Sequence, residues 1–213
     1  MNEYWTFGLL AVTSFFTLIN PLGVMPIFMT ITGDLNADQR KKTARKATIV
    51  SFFTLVAFAF SGHLLFQFFG ISVNSLKIVG GVIFFIMGQD MLQARFSKIK
   101  VSNSEITEYV NDVSITPLAI PMICGPGAIT NGIVLMEEAG SIESKLILVG
   151  AIFLTCFLTY IILWSSSRII NFLGDTGNKI LMRLMGLIVM VIAVEFFFSG
   201  LKPILQGIIS NAS

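Results

Sequence analysis

Residues 47–76 read ATIVSFFTLVAFAFSGHLLFQFFGISVNSL, a run without a single Asp, Glu, Lys or Arg. The hydrocarbon core of a bilayer is about 30 Å thick, and a helix crosses it with about 20 predominantly apolar residues. The run therefore predicts a membrane-spanning helix. Working outward from it, 4–33, 113–136 and 146–167 are equally free of charge. Residues 78–94 carry one acid, Asp90, and 184–201 carry one, Glu195. The alternating polarity of a transmembrane strand is absent. The prediction is an all-α integral membrane protein with six transmembrane helices.

Composition agrees with this. Of 213 residues, 54% are hydrophobic and 12% charged, with a mean hydropathy of +0.84. Soluble domains carry about 25% charged residues. A soluble enzyme, a disordered chain and a nucleic-acid binder are thereby excluded, and a net charge of +2 is too slight to call for an anionic partner. Cys124 and Cys156 lie in apolar runs, with no disulfide framework, CxxC pair or Cys/His metal spacing. No metal and no cofactor is implied. The opening Met1-Asn2-Glu3 lacks a basic n-region, so the first helix is expected to be retained.

Basic residues set the expected orientation. Arg40, Lys41, Lys42, Arg45 and Lys46 follow the first span, Arg95, Lys98 and Lys100 the third, and Arg168, Lys179 and Arg183 the fifth. The opposite side has only Lys77, Lys145 and Lys202. Both termini are expected outside, with the three basic loops in the cytoplasm.

The six helices divide into two blocks of three: repeat 1 at about 1–96, repeat 2 at about 113–213, and a cytoplasmic linker at about 97–112. Asn20-Pro21-Leu22-Gly23-Val24-Met25-Pro26 in the first span and Pro117-Leu118-Ala119-Ile120-Pro121, continuing to Gly125-Pro126-Gly127, in the fourth each hold a proline pair at the same spacing. Lys77-Ile78-Val79-Gly80 also overlays Arg183-Leu184-Met185-Gly186, setting Gln89 against Glu195. Three helices per block put the second block in from the opposite face, so inverted-topology repeats are expected.

Each proline removes an amide donor and clashes with the preceding turn, so helices 1 and 4 are expected to break at mid-membrane. Irregular backbone persists at that depth only where it faces protein or a water-filled cavity. Paired breaks in matching positions point to a transporter site. Half-helices starting near Pro26 and Gly127 would present amides to a carboxylate, while the carbonyls of the preceding halves suit an ammonium group. The candidate substrate-binding residues are Asn20, Pro21, Gly23, Pro26, Pro121, Gly125, Pro126, Gly127, Thr130 and Asn131, with Thr17 and Thr30 as further hydrogen-bonding groups. A small zwitterion fits this set.

Glu195 falls about 18 Å into its span from Arg183. A carboxylate at that depth is costly and functional by default, or simply protonated. Asp90, near the basic end of span 3, reads as an interfacial acid. Both are candidates for a coupling ion, Na+ or H+. His63 reads as an interface residue, and Gly80, Gly81, Gly88 and Gly186 as small residues that permit close helix packing.

The strings Asn20-Pro21-Leu22-Gly23 with Pro26-Ile27-Phe28, and Pro117-Leu118-Ala119-Ile120-Pro121 with Gly125-Pro126-Gly127-Ala128-Ile129-Thr130, resemble the MarC family of bacterial inner-membrane proteins, also called the neutral amino acid transporter family. The resemblance covers the whole chain. It implies a six-helix polytopic fold distantly related to amino-acid exporters of the LysE type, located in the bacterial inner membrane. It also implies uptake of small neutral amino acids such as glycine and alanine coupled to a cation gradient.

The leading expectation is a secondary transporter, not an enzyme, working by alternating access about a midplane site. Its partners are a small-molecule substrate and the lipid bilayer, with a homo-oligomer compatible with the sequence. No Walker-type phosphate loop is present. The alternatives are a passive small-solute channel, an exporter of other compounds and, last, a membrane thiol enzyme using Cys124.

Overall fold

The computed structural model describes residues 3–93 and 106–212, all helical or irregular, with no strand among them. Arg95, Lys98 and Lys100, and most of the expected linker, lie outside the described residues. The helices are α1 (Glu3–Ile19), α2 (Pro21–Ile31), α3 (Ala37–Phe69), α4 (Val73–Leu92), α5 (Ile106–Val113) and α6 (Pro126–Glu138), with an irregular, widened helical coil over Ser114–Ile123. A last helical stretch, Ile142–Ala212, contains one non-helical residue, Gly174, at φ 64 and ψ 179. That conformation is essentially reserved for glycine. The two apolar arms on either side, Ile142–Ser166 and Thr176–Ser210, are called α7 and α8.

Among the described residues, five segments are long and apolar enough to cross a membrane: α1 with α2, α3, α4, α7 and α8. The segment 110–123 and α6, bent by 59° at their junction, make a sixth if taken as one span. Contacts fix their relative senses. Lys41 of α3 meets Trp164 of α7, and Phe52 meets Phe153, so these helices are antiparallel. Gly62 lies against Ile133, and Gly132 against Ala59, so α3 and α6 run the same way.

The tightest packing joins α4 to α8, again antiparallel. A Cβ on Gly81 would stand 2.7 Å from the Ala193 carbonyl, one on Gly88 2.9 Å from that of Gly186, and one on Gly200 2.5 Å from that of Asn74. Only glycine lets two backbones approach this closely, which is how membrane helices associate when lipid is as apolar as their side chains. The core clusters Phe15, Ile19, Ile27, Phe28, Leu118, Ile123, Leu148 and Ile152, all buried. The outer surface is apolar too: Trp5, Phe53, Leu64, Phe68, Phe85, Phe157, Val191 and Phe198 are exposed. An apolar interior within an apolar exterior is the surface of a multi-pass membrane protein, not of a wetted one.

Candidate functional site

The first break is one residue long. Asn20 adopts φ 47 and ψ 64 between α1 and α2. Asparagine tolerates the left-handed region better than other residues with a Cβ. Its Oδ1 accepts from the Gly23 N–H at 3.2 Å, and its carbonyl accepts from the Gly23 and Val24 N–H groups at 2.9 and 3.1 Å. Pro21 follows at the first helical position, where its missing N–H is no loss. Gly23 is required by the cap itself, since a Cβ there would lie 2.5 Å from Asn20 Nδ2. Pro26 sits inside α2 without ending it. The half-helix thus starts at Pro21, over a turn earlier than the expectation of a start near Pro26, because the Asn20 cap satisfies the amides there.

The second break is longer. Thr116 (φ −126, ψ 121) and Ile120 (φ −127, ψ 123) are extended, and each precedes a proline, Pro117 and Pro121. Each proline removes a backbone donor from the helical ladder, so two prolines one turn apart interrupt the regular helix; both peptide bonds before them are cis. Regular winding resumes at Pro126, again at the first helical position, with Gly125 as the cap residue and no side-chain cap.

A cavity of about 40 Å³ lies at these breaks. A buried water needs roughly 10–15 Å³ on the same measure, so the space admits more than one. The end of α1 and start of α2 supply Thr17, Leu18, Asn20, Gly23 and Ile27; α4 supplies Phe84, Met87 and Met91; α8 supplies Val189 and Ile192; and Met122 completes the wall. The α6 N-terminus reaches the same wall from behind. A Cβ on Gly125 would stand 2.6 Å from Phe84 Cζ, and one on Gly127 3.2 Å from Leu18 Cδ2. Pro126 packs on Gly80, whose added Cβ would stand 2.6 Å away.

Of the residues singled out from the sequence, Asn20, Gly23 and Thr17 line the cavity, and Gly125 and Gly127 touch its walls. Pro21 and Pro26 are buried in α2, and Pro121 belongs to the irregular coil. Asn131 turns away, its Nδ2 donating to Ser14 Oγ at 3.0 Å and tying α6 to α1. Thr30 donates to the Pro26 carbonyl and accepts from Asn178 Nδ2 at 3.3 Å. Thr130 is 2% exposed, and its Oγ1 has no hydrogen-bond partner among the described residues. Buried hydroxyls normally have one.

Glu195 lies on the exposed side of α8 with Val191, Val194 and Phe198, whereas the cavity is lined from the stripe of Val189 and Ile192. Asp90 is half-buried, next to Met91. Cys124 and Cys156 are both buried and free. The sequence reading missed the methionine and phenylalanine lining, because Met87, Met91, Met122 and Phe84 look like ordinary span residues until the fold assembles them. It also missed the pairing of His63 Nδ1 with Glu137, which joins α3 to α6, with Gln67 Nε2 2.6 Å from His63 Nε2.

Residues 5–205 match the model of the MarC family of integral membrane proteins. The chain is 38% identical over 190 residues to the UPF0056 membrane protein PH0760 of Pyrococcus horikoshii, covering 89% of this chain and 92% of that protein. It is equally 38% identical over 192 residues to the UPF0056 membrane protein YvbG of Bacillus subtilis, covering 89% and 91%. A protein of Methanocaldococcus jannaschii with the same description, MJ1677, is 35% identical over 195 residues, covering 91% and 95%. No solved structure matches the chain. A polytopic helical fold, an apolar exterior and a family match over nearly its full length lead to one conclusion: the chain belongs to the MarC family of integral membrane proteins.

Proposed function

We propose that the protein is a secondary transporter of small neutral amino acids or similar metabolites, with its site at the Asn20 break. The observation that carries this reading is one cavity lined by the C-terminus of α1 and the N-terminus of α2, with the N-terminus of α6 packed behind its wall at Phe84 and Leu18. The N-terminus of α6, which has no side-chain cap, favours a carboxylate, whereas the Gly23 and Val24 amides of α2 are taken by Asn20 and add only their dipole. The end of α1 offers carbonyls, among them that of Thr17, to which Pro21 has no N–H to donate. An ammonium group is the natural partner for those. No fixed charge lines the cavity, so a zwitterion neutralises both ends while an ion of one sign neutralises one.

The two breaks are read as the matching midplane breaks of inverted repeats. The alternating senses of the spans and the antiparallel α4–α8 pair suit that arrangement. Alternating access then has one three-helix block rocking against the other. The unpartnered Thr130 hydroxyl, on the helix that would move, gains a partner in a second packing state. Na+ or H+ is proposed as the driving ion, with Asp90 the better placed acid because it is half-buried. A bacterial inner membrane with both termini outside is the proposed setting.

The test is a thermal-shift screen of detergent-purified protein with glycine, alanine, serine and charged amino acids. A ligand that prefers the folded state raises its apparent stability. A shift with small neutral amino acids that Asn20→Ala removes is expected. A shift with charged amino acids alone would contradict the reading.

A further inference from the structure

Between α3 and α7 runs a second hollow, a groove of about 540 Å³ that shares no lining residue with the cavity at Asn20. Its α3 wall is Lys41, Arg45, Thr48, Ile49, Phe52 and Phe53, which recur at the spacing of one helix face. Its α7 wall is Phe153, Cys156, Phe157 and Tyr160, also one face. The two cations sit together at one end. Everything beyond Thr48 is apolar. At the cationic end, Lys41 Nζ stands 5.7 Å from the centre of the Trp164 ring, which stacks on Tyr160 at 6.4 Å. Tyrosine, tryptophan and lysine together mark the level of a membrane–water interface.

We infer that this groove binds an anionic phospholipid, its phosphate between Lys41 and Arg45 and one acyl chain along Phe52, Phe53, Phe153 and Phe157. Length supports this occupant. Lys41 to Phe53 is twelve residues on a helix, about 18 Å at 1.5 Å per residue. One leaflet of a 30 Å hydrocarbon core is about 15 Å deep. A head at the cations therefore leaves a chain-length apolar slot below it. Free phosphate would leave that slot empty. A second copy of this chain, packed by a two-fold axis along the membrane normal, would bring two such cation pairs face to face.

A comparison within the molecule isolates the charge. The groove between α1 and α7, of about 440 Å³, has a similar apolar and aromatic wall in Tyr4, Trp5, Leu9 and Leu154, but no Lys or Arg lines it. Basic pockets between membrane helices are recognised as sites for anionic headgroups. Of these two grooves, the one between α3 and α7 has both parts.

The experiment uses the full chain in vesicles, with Trp5→Phe leaving Trp164 as the sole tryptophan. Quenching of its fluorescence is measured with brominated phosphatidylglycerol and with brominated phosphatidylcholine of the same chains. The expected result is a preference for phosphatidylglycerol that falls by up to about 30-fold in the Lys41→Gln/Arg45→Gln double variant. The preference is expected to survive in Lys42→Gln, an exposed neighbour outside the groove. Equal quenching by the two lipids, a preference that persists in the double variant, or quenching by neither lipid with protein-concentration-dependent dimerisation would each overturn the assignment.

Discussion

Asn20 does two jobs that separate by mutation. It holds a left-handed conformation and its side chain caps α2. Asn20→Gly keeps the first and loses the second, at a cost of a few tenths of a kcal/mol. Asn20→Ala loses the cap and also asparagine's tolerance of the left-handed region, at a total cost of about 1–2 kcal/mol. Melting in detergent should therefore rank wild type, then Asn20→Gly, then Asn20→Ala; equal melting of the two variants would contradict the conformational part. Glu195 offers the opposite case. Because its side chain lies on the outer face of α8, Glu195→Gln should leave the ligand-induced thermal shift intact, and loss of that shift would place it in the site after all. The sequence gives the depth of Glu195 by counting from Arg183, but not its direction. That depends on which face of α8 meets α4, a matter of Gly186 and Gly200 finding Gly88 and Asn74.

At the scale of elements, proline chemistry was legible and its outcome was uneven. Pro117 and Pro121 unwind the residues before them, whereas Pro26 stays within its helix. Counting prolines marks both regions, but only packing and capping decide where each half-helix starts. Glycine was legible as permission for close approach, and the α4–α8 seam uses it backbone to backbone. Gly88→Leu should disrupt that seam, since even a Cβ would stand 2.6 Å from Met190 Cγ and 2.9 Å from the Gly186 carbonyl. The expected readout is loss of monodisperse protein in detergent. The matched control is Gly207→Leu, on the partner helix α8 with open space around it, which should behave as wild type. A Gly88→Leu protein with wild-type yield and melting would contradict the tight packing.

At the scale of the molecule, membrane character followed from charge-free runs, because burial in lipid is a property of whole segments. The cavity did not follow, because its wall is drawn from α1, α2, α4, α8 and the coil before α6, and residues such as Met91 and Val189 carry no local signal of their role. The expected orientation is testable at this scale: a cytoplasm-only reporter fused after Ser213 should stay dark, and a bright fusion would invert the assignment.

The most direct measurement is counterflow of labelled glycine or alanine in proteoliposomes. At Gly127 an added Cβ would stand 3.2 Å from Leu18 and 3.3 Å from Phe196. Gly127→Ala should therefore be tolerated after small side-chain shifts, while Gly127→Leu should block the cavity wall. The predicted result is saturable exchange by wild type, retained in Gly127→Ala and lost in Gly127→Leu protein that remains monodisperse. Non-saturating flux, no exchange of any small neutral amino acid, or wild-type exchange by Gly127→Leu would contradict a carrier built around the Asn20 break.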